Sequence, residues 1–359
     1  MSDDKRFAPL RDQIDQIDHE LIALLAKRAN LALEVGKIKH ETGGSVFRPE
    51  REKQVIEKVQ KANPGPLKPE SIAAIWIEIM SGCRAIEAVQ KIAYLGPAGT
   101  FSESAAFKIF GHSIDTMPCV SLDEVFRSVE LGQAEFGVVP IENSSEGAIS
   151  RTLDLLLESK LTISGEVALP IKHHLLNQTG TFKGIEQILA HPQALAQCQQ
   201  WLNQHVPGIQ RQAVSSNAEG ARQAAQDSKI AAIAGESAQF QYGLKVVASE
   251  IQDDAHNRTR FVIIGKSVCP ATGRDQTSLV LSVANEPGAV YQLLSPLASN
   301  GVSMSRLESR PARKGTWEYH FFIDIEGHSS DTNVAKALKE LQTVAAYYKC
   351  LGSYPKSTS

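Results

Sequence analysis

Residues 92–103 read IAYLGPAGTFSE. A short apolar run, a turn through Gly96-Pro97-Ala98-Gly99, and a helix opened by Thr100-Phe101-Ser102-Glu103 make one strand–turn–helix unit. Such a turn presents unpaired N–H groups at the helix start, where an anion can be held. The texture continues downstream in FGVVPI (136–141), EQILAH (186–191), KIAAIAG (229–235) and TRFVIIG (259–265), short apolar runs separated by helical stretches. This is the pattern of βα units around a largely parallel sheet, and it extends from residue 92 to residue 268.

Ahead of Ile92 the pattern is helical throughout. In LRDQIDQIDHELIALLAKRANLALEVGKIK (10–39), Leu10, Ile14, Ile17, Leu21, Leu24, Leu31, Val35 and Ile38 keep the three-and-four spacing of one helix face. Pro49 opens a second helix through Val55, Ile56 and Val59. Asn63-Pro64-Gly65-Pro66 breaks the chain, and Pro69 starts a third helix carrying Ile72, Ile75, Trp76, Ile79 and Met80. Beyond Val268, a polar stretch with Pro270, Gly273 and Arg274 reads as a linker. The tail then runs strand (SLVLSVA), helix (GAVYQLLSPLASNG), two strands (around Met304–Ser309 and Trp317–Ile325), helix (VAKALKELQ) and final strand, a βαββαβ order with helices on one sheet face.

Composition narrows the function. The 359 residues fit two or three domains, and a 42% apolar content can bury several cores. A formal net charge of −3 gives no global attraction to nucleic acid or anionic membrane, so an acidic ligand must be held locally. The five cysteines, Cys83, Cys119, Cys198, Cys269 and Cys350, are widely spaced and form no CxxC pair. That argues against a disulfide framework or a zinc knuckle and for a reducing compartment. The start MSDDKRFAPL has no apolar signal core, and no stretch of eighteen apolar residues occurs, so a cytoplasmic protein is expected.

The first helix spans roughly 45 Å at 1.5 Å per residue, too long to bury alone, and pairing with a second copy is the simplest remedy. Arg28 and Lys39 lie within roughly 20° of one helix face. They are about 16 Å apart along the axis, so two long side chains could clamp a small dianion. Arg11 lies about 25 Å from Arg28 and points about 100° away, so it reaches the same site only from an antiparallel partner. Arg51 and Glu52 share a turn of the second helix, and Cys83 and Glu87 are an i, i+4 pair on the third. Solvated helix charges are the alternative reading.

Through Leu10-Arg11, LLAKR ending at Arg28, EVGKIK ending at Lys39 and RPERE at 48–52, residues 5–90 resemble the all-helical chorismate mutases. The resemblance implies that Arg11 of a partner and Arg28 hold two carboxylates. Lys39 would donate to the ether oxygen with Glu87 beside it, and Glu52 would take the ring hydroxyl, with Arg48, Arg51 and Cys83 in the same pocket. Arg28, Lys39 and Glu87 are then the catalytic groups. Two positions depart from the family pattern: Arg48 stands where an acidic residue is frequent, and Glu87 where glutamine is. Glu87 can donate to an ether oxygen only when protonated. The rearrangement needs no nucleophile, only restraint and stabilisation of the breaking C–O bond.

In the central segment, VVPIENSSEG ends an apolar strand with Glu142, Asn143, Ser144 and Ser145, where α/β sheets bind ligands. VSSNAEGAR sets Ser215, Ser216 and Asn217 before a helix, AHPQALAQC puts His191 and Gln193 after a strand, and DDAHNRTRF places Asn257, Arg258, Thr259 and Arg260 before FVIIG. Capped loops are the alternative for each. Through GPAGTFSE, PIENSSEG, HPQALAQC and NRTRF, in that order, residues 92–268 resemble the prephenate dehydratases. The resemblance implies two α/β lobes around a cleft, like periplasmic binding proteins, with Thr259 as the essential group. Its hydroxyl would protonate the departing ring hydroxyl as carbon dioxide leaves. Arg260 and helix N-termini would fix the carboxylates, and Thr100, Ser102, Glu142, Asn143, Ser144, Ser215 and Asn257 would line the pocket. No metal or cofactor is called for.

In the tail, NEPGAVY places Pro287, Gly288, Ala289 and Val290 between strand and helix, and LESRP gives Glu308, Ser309, Arg310 and Pro311 at a strand end. On a βαββαβ frame these resemble the ACT regulatory domain. That implies phenylalanine bound between paired domains, gripped by residues 287–290 and by a turn at 308–311. The whole reads as an all-α chorismate mutase (1–91), a two-lobed α/β dehydratase (92–268) and an α+β ACT domain (277–355). Together they would take chorismate to prephenate and on to phenylpyruvate under feedback by phenylalanine. A homodimer or higher homo-oligomer, joined through the helical and ACT domains, is expected, with no nucleic-acid or membrane partner. Two other readings stand beside it: a dehydratase whose helical domain only dimerises or senses, and a non-catalytic sensor of a small acid. The threonine of NRTRF and the lack of a DNA-binding element weigh against the second, and the lack of GxGxxG against a dehydrogenase.

Overall fold

The computed structural model of the chain describes residues 7–42, 46–283, 286–312 and 319–357. Asn285 and Trp317 of the motifs above lie outside the described residues. The chain forms two compact units, one of Met1–Arg48, Val55–Gln90 and Phe110–Asp115, the other of Pro49–Gln54, Lys91–Ile109 and Thr116–Ser359. Among the described residues no helix is long and apolar enough to cross a membrane.

The first unit is helical. α1 covers Ala8–Thr42, 35 residues and so longer than the sequence stripe alone indicates; α2 covers Pro49–Ala62 and α3 Pro69–Ala85, each with proline in its first turn. The stripe on α1 from Leu10 to Ile38 stays exposed on the single chain. Phe47 and Phe110 pack with ring centroids 4.4 Å apart, under the guanidinium of Arg84, whose Nη2 donates to the Phe110 carbonyl.

The second unit begins with β1 (Lys91–Leu95), α4 (Phe101–Phe110), β2 (Asp115–Cys119), α5 (Leu122–Glu130), β3 (Phe136–Asn143), β4 (Gly147–Ala148), α6 (Ser150–Glu158) and β5 (Thr162–Pro170). A second lobe follows: β6 (His174–Asn177), β7 (Gln187–Ala190), α7 (Pro192–Gln197), α8 (Gln199–His205), β8 (Gln210–Ala213), α9 (Asn217–Ala224), β9 (Ile230–Ala234), α10 (Glu236–Tyr242) and β10 (Lys245–Ala248). β11 (Arg258–Gly265) then returns to the first sheet, whose order is β2-β1-β3-β11-β5; the second sheet is β10-β6-β9-β7-β8. Both are mixed sheets, a correction to the largely parallel arrangement expected. β1 runs parallel to β3, but β11 is antiparallel to both β3 and β5, and β6 is antiparallel to β9 and β10. The reason is connectivity. β11 arrives from the far lobe and enters the first sheet from the opposite end. The two crossings are tied together where Ile171 N–H donates to the Asn257 carbonyl at 2.8 Å.

The tail is the expected βαββαβ unit: β12 (Asp275–Ser282), α11 (Ala289–Ser299), β13 (Met304–Pro311), β14 (Tyr319–Glu326), α12 (Thr332–Val344) and β15 (Tyr347–Pro355), with sheet order β13-β14-β12-β15. Leu279, Leu281, Ile323 and Ile325 pack under the two helices with Leu293, Leu297, Leu338 and Leu341. The alternate residues Val280, Phe322, Leu351 and Tyr354 face the other way and join the dehydratase core with Val139, Ile141, Leu156, Ile163 and Val262. Residues 308–311 are not a turn. They lie inside the strand β13, because Glu308–Pro311 pair in register with Phe322–Tyr319 of β14.

Candidate active sites

Between the lobes lies a groove of about 310 Å³. The first lobe lines it with the β1–α4 turn (Gly99, Thr100, Ser102), the end of β3 (Asn143) and the start of β11 (Thr259). The second lobe contributes the starts of α7 (His191, Gln193), α9 (Ser215, Ser216, Asn217) and α10 (Gly235), and the irregular crossing between β5 and β6 adds Ile171 and His173. Helix starts carry free N–H groups and the positive end of the helix dipole, which suits an anion.

Thr259 is 8% exposed, and its Oγ1 accepts from Asn143 Nδ2 at 2.9 Å. The orientation of that amide is settled by its other end. Asn143 Oδ1 accepts from the backbone N–H groups of Ser145 and Glu146 at 3.0 and 3.1 Å, so Nδ2 must face the threonine. Nδ2 also meets Asn257 Oδ1 at 2.9 Å and the Arg258 carbonyl at 3.2 Å. A hydroxyl has one proton and two acceptor sites; with one acceptor site taken, the Thr259 proton is available to a ligand.

The β1–α4 turn is held from both sides. Glu103, nearly buried, accepts from Gly99 N–H at 2.6 Å and Tyr94 O–H at 2.8 Å. Tyr242 and Ser237 of the α10 helix donate to the carbonyls of Ala98 and Gly99. Gly99 has φ +84°, and a Cβ there would press on Tyr242 and Ala238 at 3.2 and 3.3 Å, so glycine is required. His173 is buried, stands edge-on to Phe101, and bonds Gln197 Oε1 through Nε2 at 2.9 Å. Burial lowers its pKa, so the ring stays neutral.

Of the residues expected to bind the dehydratase substrate, Thr100, Ser102, Asn143 and Ser215 line the groove with Thr259; Glu142, Ser144, Asn257 and Arg260 do not. Strand alternation explains two of these placements, since Glu142 precedes and Arg260 follows a groove residue and each points to the opposite face. Arg260 binds Glu166 through Nε at 2.6 Å, Asp324 through Nη1 at 2.6 Å and the Tyr354 hydroxyl through Nη2 at 3.0 Å. Burial alone would lower its pKa, but Tyr354, Asp324 and Glu166 outweigh that and raise it. Glu142 pairs with Arg306 at 3.0 Å. Ser144 Oγ accepts from Arg258 N–H at 2.9 Å, and the Asn257 side chain is buried behind Asn143. Among the described lining residues there is no Lys, Arg, Asp or Glu; the groove offers an anion hydroxyls, amides and helix starts, without the Arg260 guanidinium expected beside the helix starts. His173 and Gln197 were missed. Gln193 and Gln197 are an i, i+4 pair on α7, a spacing that marks one face; His173 sits on an irregular crossing with no pattern to betray it.

In the helical unit, Arg28 of α1 reaches Cys83 of α3, and Lys39 of α1 reaches Glu87, which lies in the turn just past the end of α3 and not on the helix as expected. Arg28 Nη1 donates to Cys83 Sγ at 3.0 Å, Lys39 Nζ lies 3.8 Å from Glu87 Oε2, and Lys39 also donates to the Val46 carbonyl at 3.2 Å. Gly36 makes this possible, because a Cβ there would sit 2.6 to 2.9 Å from the Glu87 carboxyl group. Arg11 stands near the far end of α1, its guanidinium 5.9 Å from the Phe7 ring centroid, about 25 Å along the helix from Arg28. Arg48 is exposed at the start of α2, and Arg51 and Glu52 belong to the segment Pro49–Gln54 of the second unit. In the tail, Pro287 and Gly288 form the turn into α11, with Gly288 at φ +81° and Ala289 and Val290 opening the helix; Arg310 is paired with Asp154 at 2.9 Å.

A two-lobed α/β groove lined by hydroxyls, amides and helix starts, with a helical unit and a βαββαβ domain in the same chain, defines a class of multidomain enzyme. Residues 92–268 match the prephenate dehydratase family, residues 10–88 chorismate mutase type II, and residues 277–342 the ACT domain. A bifunctional chorismate mutase/prephenate dehydratase of Neisseria gonorrhoeae is 48% identical over 355 residues, covering 98% of each chain, and one of Stutzerimonas stutzeri is 45% identical over 363 residues, covering 99% of this chain and all of the other. The structure of a prephenate dehydratase from Arthrobacter aurescens in complex with L-Phe superposes with a TM-score of 0.69 at 34% identity, over 74% of this chain and 90% of that one. The chain belongs to the family of bifunctional chorismate mutase/prephenate dehydratases of phenylalanine biosynthesis.

Proposed function

We propose that residues 1–91 carry the mutase step, residues 92–268 the dehydratase step, and residues 277–355 the response to phenylalanine. The Asn143–Thr259 hydrogen bond is the observation that carries the dehydratase reading. Prephenate lies in the groove with its carboxylates against the helix starts and hydroxyls, and its ring hydroxyl faces Thr259. Cleavage of the ring–carboxylate bond sends an electron pair into the ring and expels the hydroxyl oxygen. The Thr259 proton moves toward that oxygen, while Asn143 Nδ2–H stabilises the charge left on Oγ1.

In the mutase unit, Arg28 and Lys39 grip chorismate, and a second copy packed on the exposed α1 stripe brings its Arg11 to complete the site. Phenylalanine binds at residues 287–290 and at the exposed edge strand β13, where a second ACT domain can pair. A cytoplasmic homodimer or larger homo-oligomer follows. The test is one coupled assay of chorismate loss and phenylpyruvate release. Chorismate should be consumed, phenylpyruvate should appear, and added phenylalanine should slow its release. Turnover of prephenate with chorismate untouched would make the helical unit a dimerising or sensing module.

A further inference from the structure

The two strands that carry the Asn143–Thr259 pair hold a second pair on their reverse side. In the β3–β11 register Thr259 lies opposite Asn143 and Arg260 opposite Glu142. Alternation sends the first pair to the groove and the second toward the ACT sheet. There Glu142 meets Arg306 of β13 at 3.0 Å, and Arg260 meets Asp324 of β14 at 2.6 Å. Glu142 and Arg260 are themselves 3.8 Å apart. Charges of alternating sign thus run Arg306–Glu142–Arg260–Asp324, leaving the ACT sheet on one strand and re-entering it on the next.

Two features suit this chain to transmit movement. The pairing of β11 with β3 shifts register between Arg260 and Phe261, so the strand is irregular next to the charged pair. Arg306 Nη2 is buried with no hydrogen-bond partner among the described residues, which leaves the network incompletely satisfied and open to a second arrangement. We infer that Glu142 and Arg260 are positioning residues through which the ACT domain sets the geometry of the Asn143–Thr259 pair. The inference rests on phenylalanine being the effector. A shift of β13 or β14 on ligand binding pulls on Arg306 or Asp324. Each pull reaches the catalytic pair through one ion pair and one peptide unit.

The test uses the full chain with Arg306→Gln and Asp324→Asn, with Glu142→Gln to break the first pair from its other side. Phenylalanine should still bind by calorimetry, so that the site can be saturated, and mutase turnover should stay as in the parent, while residual dehydratase activity at saturating phenylalanine rises about fivefold or more, the lower end of ordinary coupling factors. The Glu142→Gln/Arg306→Gln double variant should add nothing to either single change. Where Asp324→Asn fails to fold, Arg306→Gln carries the test, since its partner Glu142 is part-exposed. Unchanged inhibition in variants that still bind phenylalanine overturns the relay alone. A rise in prephenate KM for Glu142→Gln with inhibition intact overturns it too and returns Glu142 to the substrate. A parent chain that binds no phenylalanine overturns the effector reading and the relay together.

Discussion

In the proposed dehydratase step Thr259 serves as proton donor because Asn143 cannot turn round. Two backbone donors hold the amide oxygen, so its nitrogen donates to Thr259 Oγ1 at 2.9 Å. Thr259→Ala should cost the dehydratase kcat about 10² to 10⁴, the usual worth of a proton donor, and Thr259→Ser should keep far more. Asn143→Asp should cost nearly as much, because a carboxylate would accept the threonine proton that the substrate needs. Mutase turnover of the same samples checks that the chain has folded. NRTRF made Thr259 legible in the sequence, but not the fate of Arg260 beside it, because facing depends on which sheets cover the strand. His173 gives a pH signature. Burial lowers its pKa, so below about pH 6.5 the unfolded chain takes a proton that the folded chain refuses. Stability is therefore full above that value and declines as pH falls toward the folded pKa. Urea midpoints should drop on acidification in the parent and drop less in His173→Gln.

Among the elements, α1 was the most legible, since eight apolar positions at helical spacing need no tertiary information. β11 was legible as a buried strand but not in direction, because an apolar run of Phe261–Ile264 reads the same both ways. The approach of β15 to β5 was not legible at all, and one residue shows why it matters. Gly352 has φ +141°, and a Cβ there would lie 2.2 Å from the Ile163 carbonyl oxygen, with backbone atoms of Ile163 also at 3.1 Å. No side-chain rotation relieves a clash with backbone. Gly273 is a useful contrast, with φ +86° and nothing within 4 Å of its added Cβ. Gly273→Ala should cost only the left-handed backbone term, about 1–2 kcal/mol. Gly352→Ala should cost clearly more, because strand separation adds to strain. Denaturant unfolding of the two variants decides; equal losses would mean that β15 can move away from β5 freely.

For the whole molecule, the stretch with Pro270, Gly273 and Arg274 reads as a linker, but in SLVLS Leu279 and Leu281 face the ACT helices while Val280 faces the other way. An isolated ACT sheet would leave the face of Gln276, Ser278, Val280 and Ser282 to solvent; instead Asp275–Leu281 are all buried. Val280, Phe322, Leu351 and Tyr354, each 2% exposed or less, share a core with the dehydratase strands. Removing them from that core forfeits on the order of 10 kcal/mol of apolar burial, as much as a whole domain's net stability. Polar ties go with them. Lys349 Nζ donates to the carbonyls of Leu156 and Leu157 at 2.8 and 2.9 Å, closing the end of α6, and Arg260 would lose both Asp324 and Tyr354. A chain ending at Arg274 should therefore not be an uninhibited dehydratase. It should unfold at least about 10 °C below the full chain, or aggregate, by the usual conversion of stability into melting temperature. Calorimetry on the two chains, with prephenate turnover measured beside it, tests this: a truncated chain that melts with the parent and turns over freely would mean that the shared core contributes little. The helical unit has its own packing, so mutase turnover should outlast dehydratase turnover as the truncated chain is warmed.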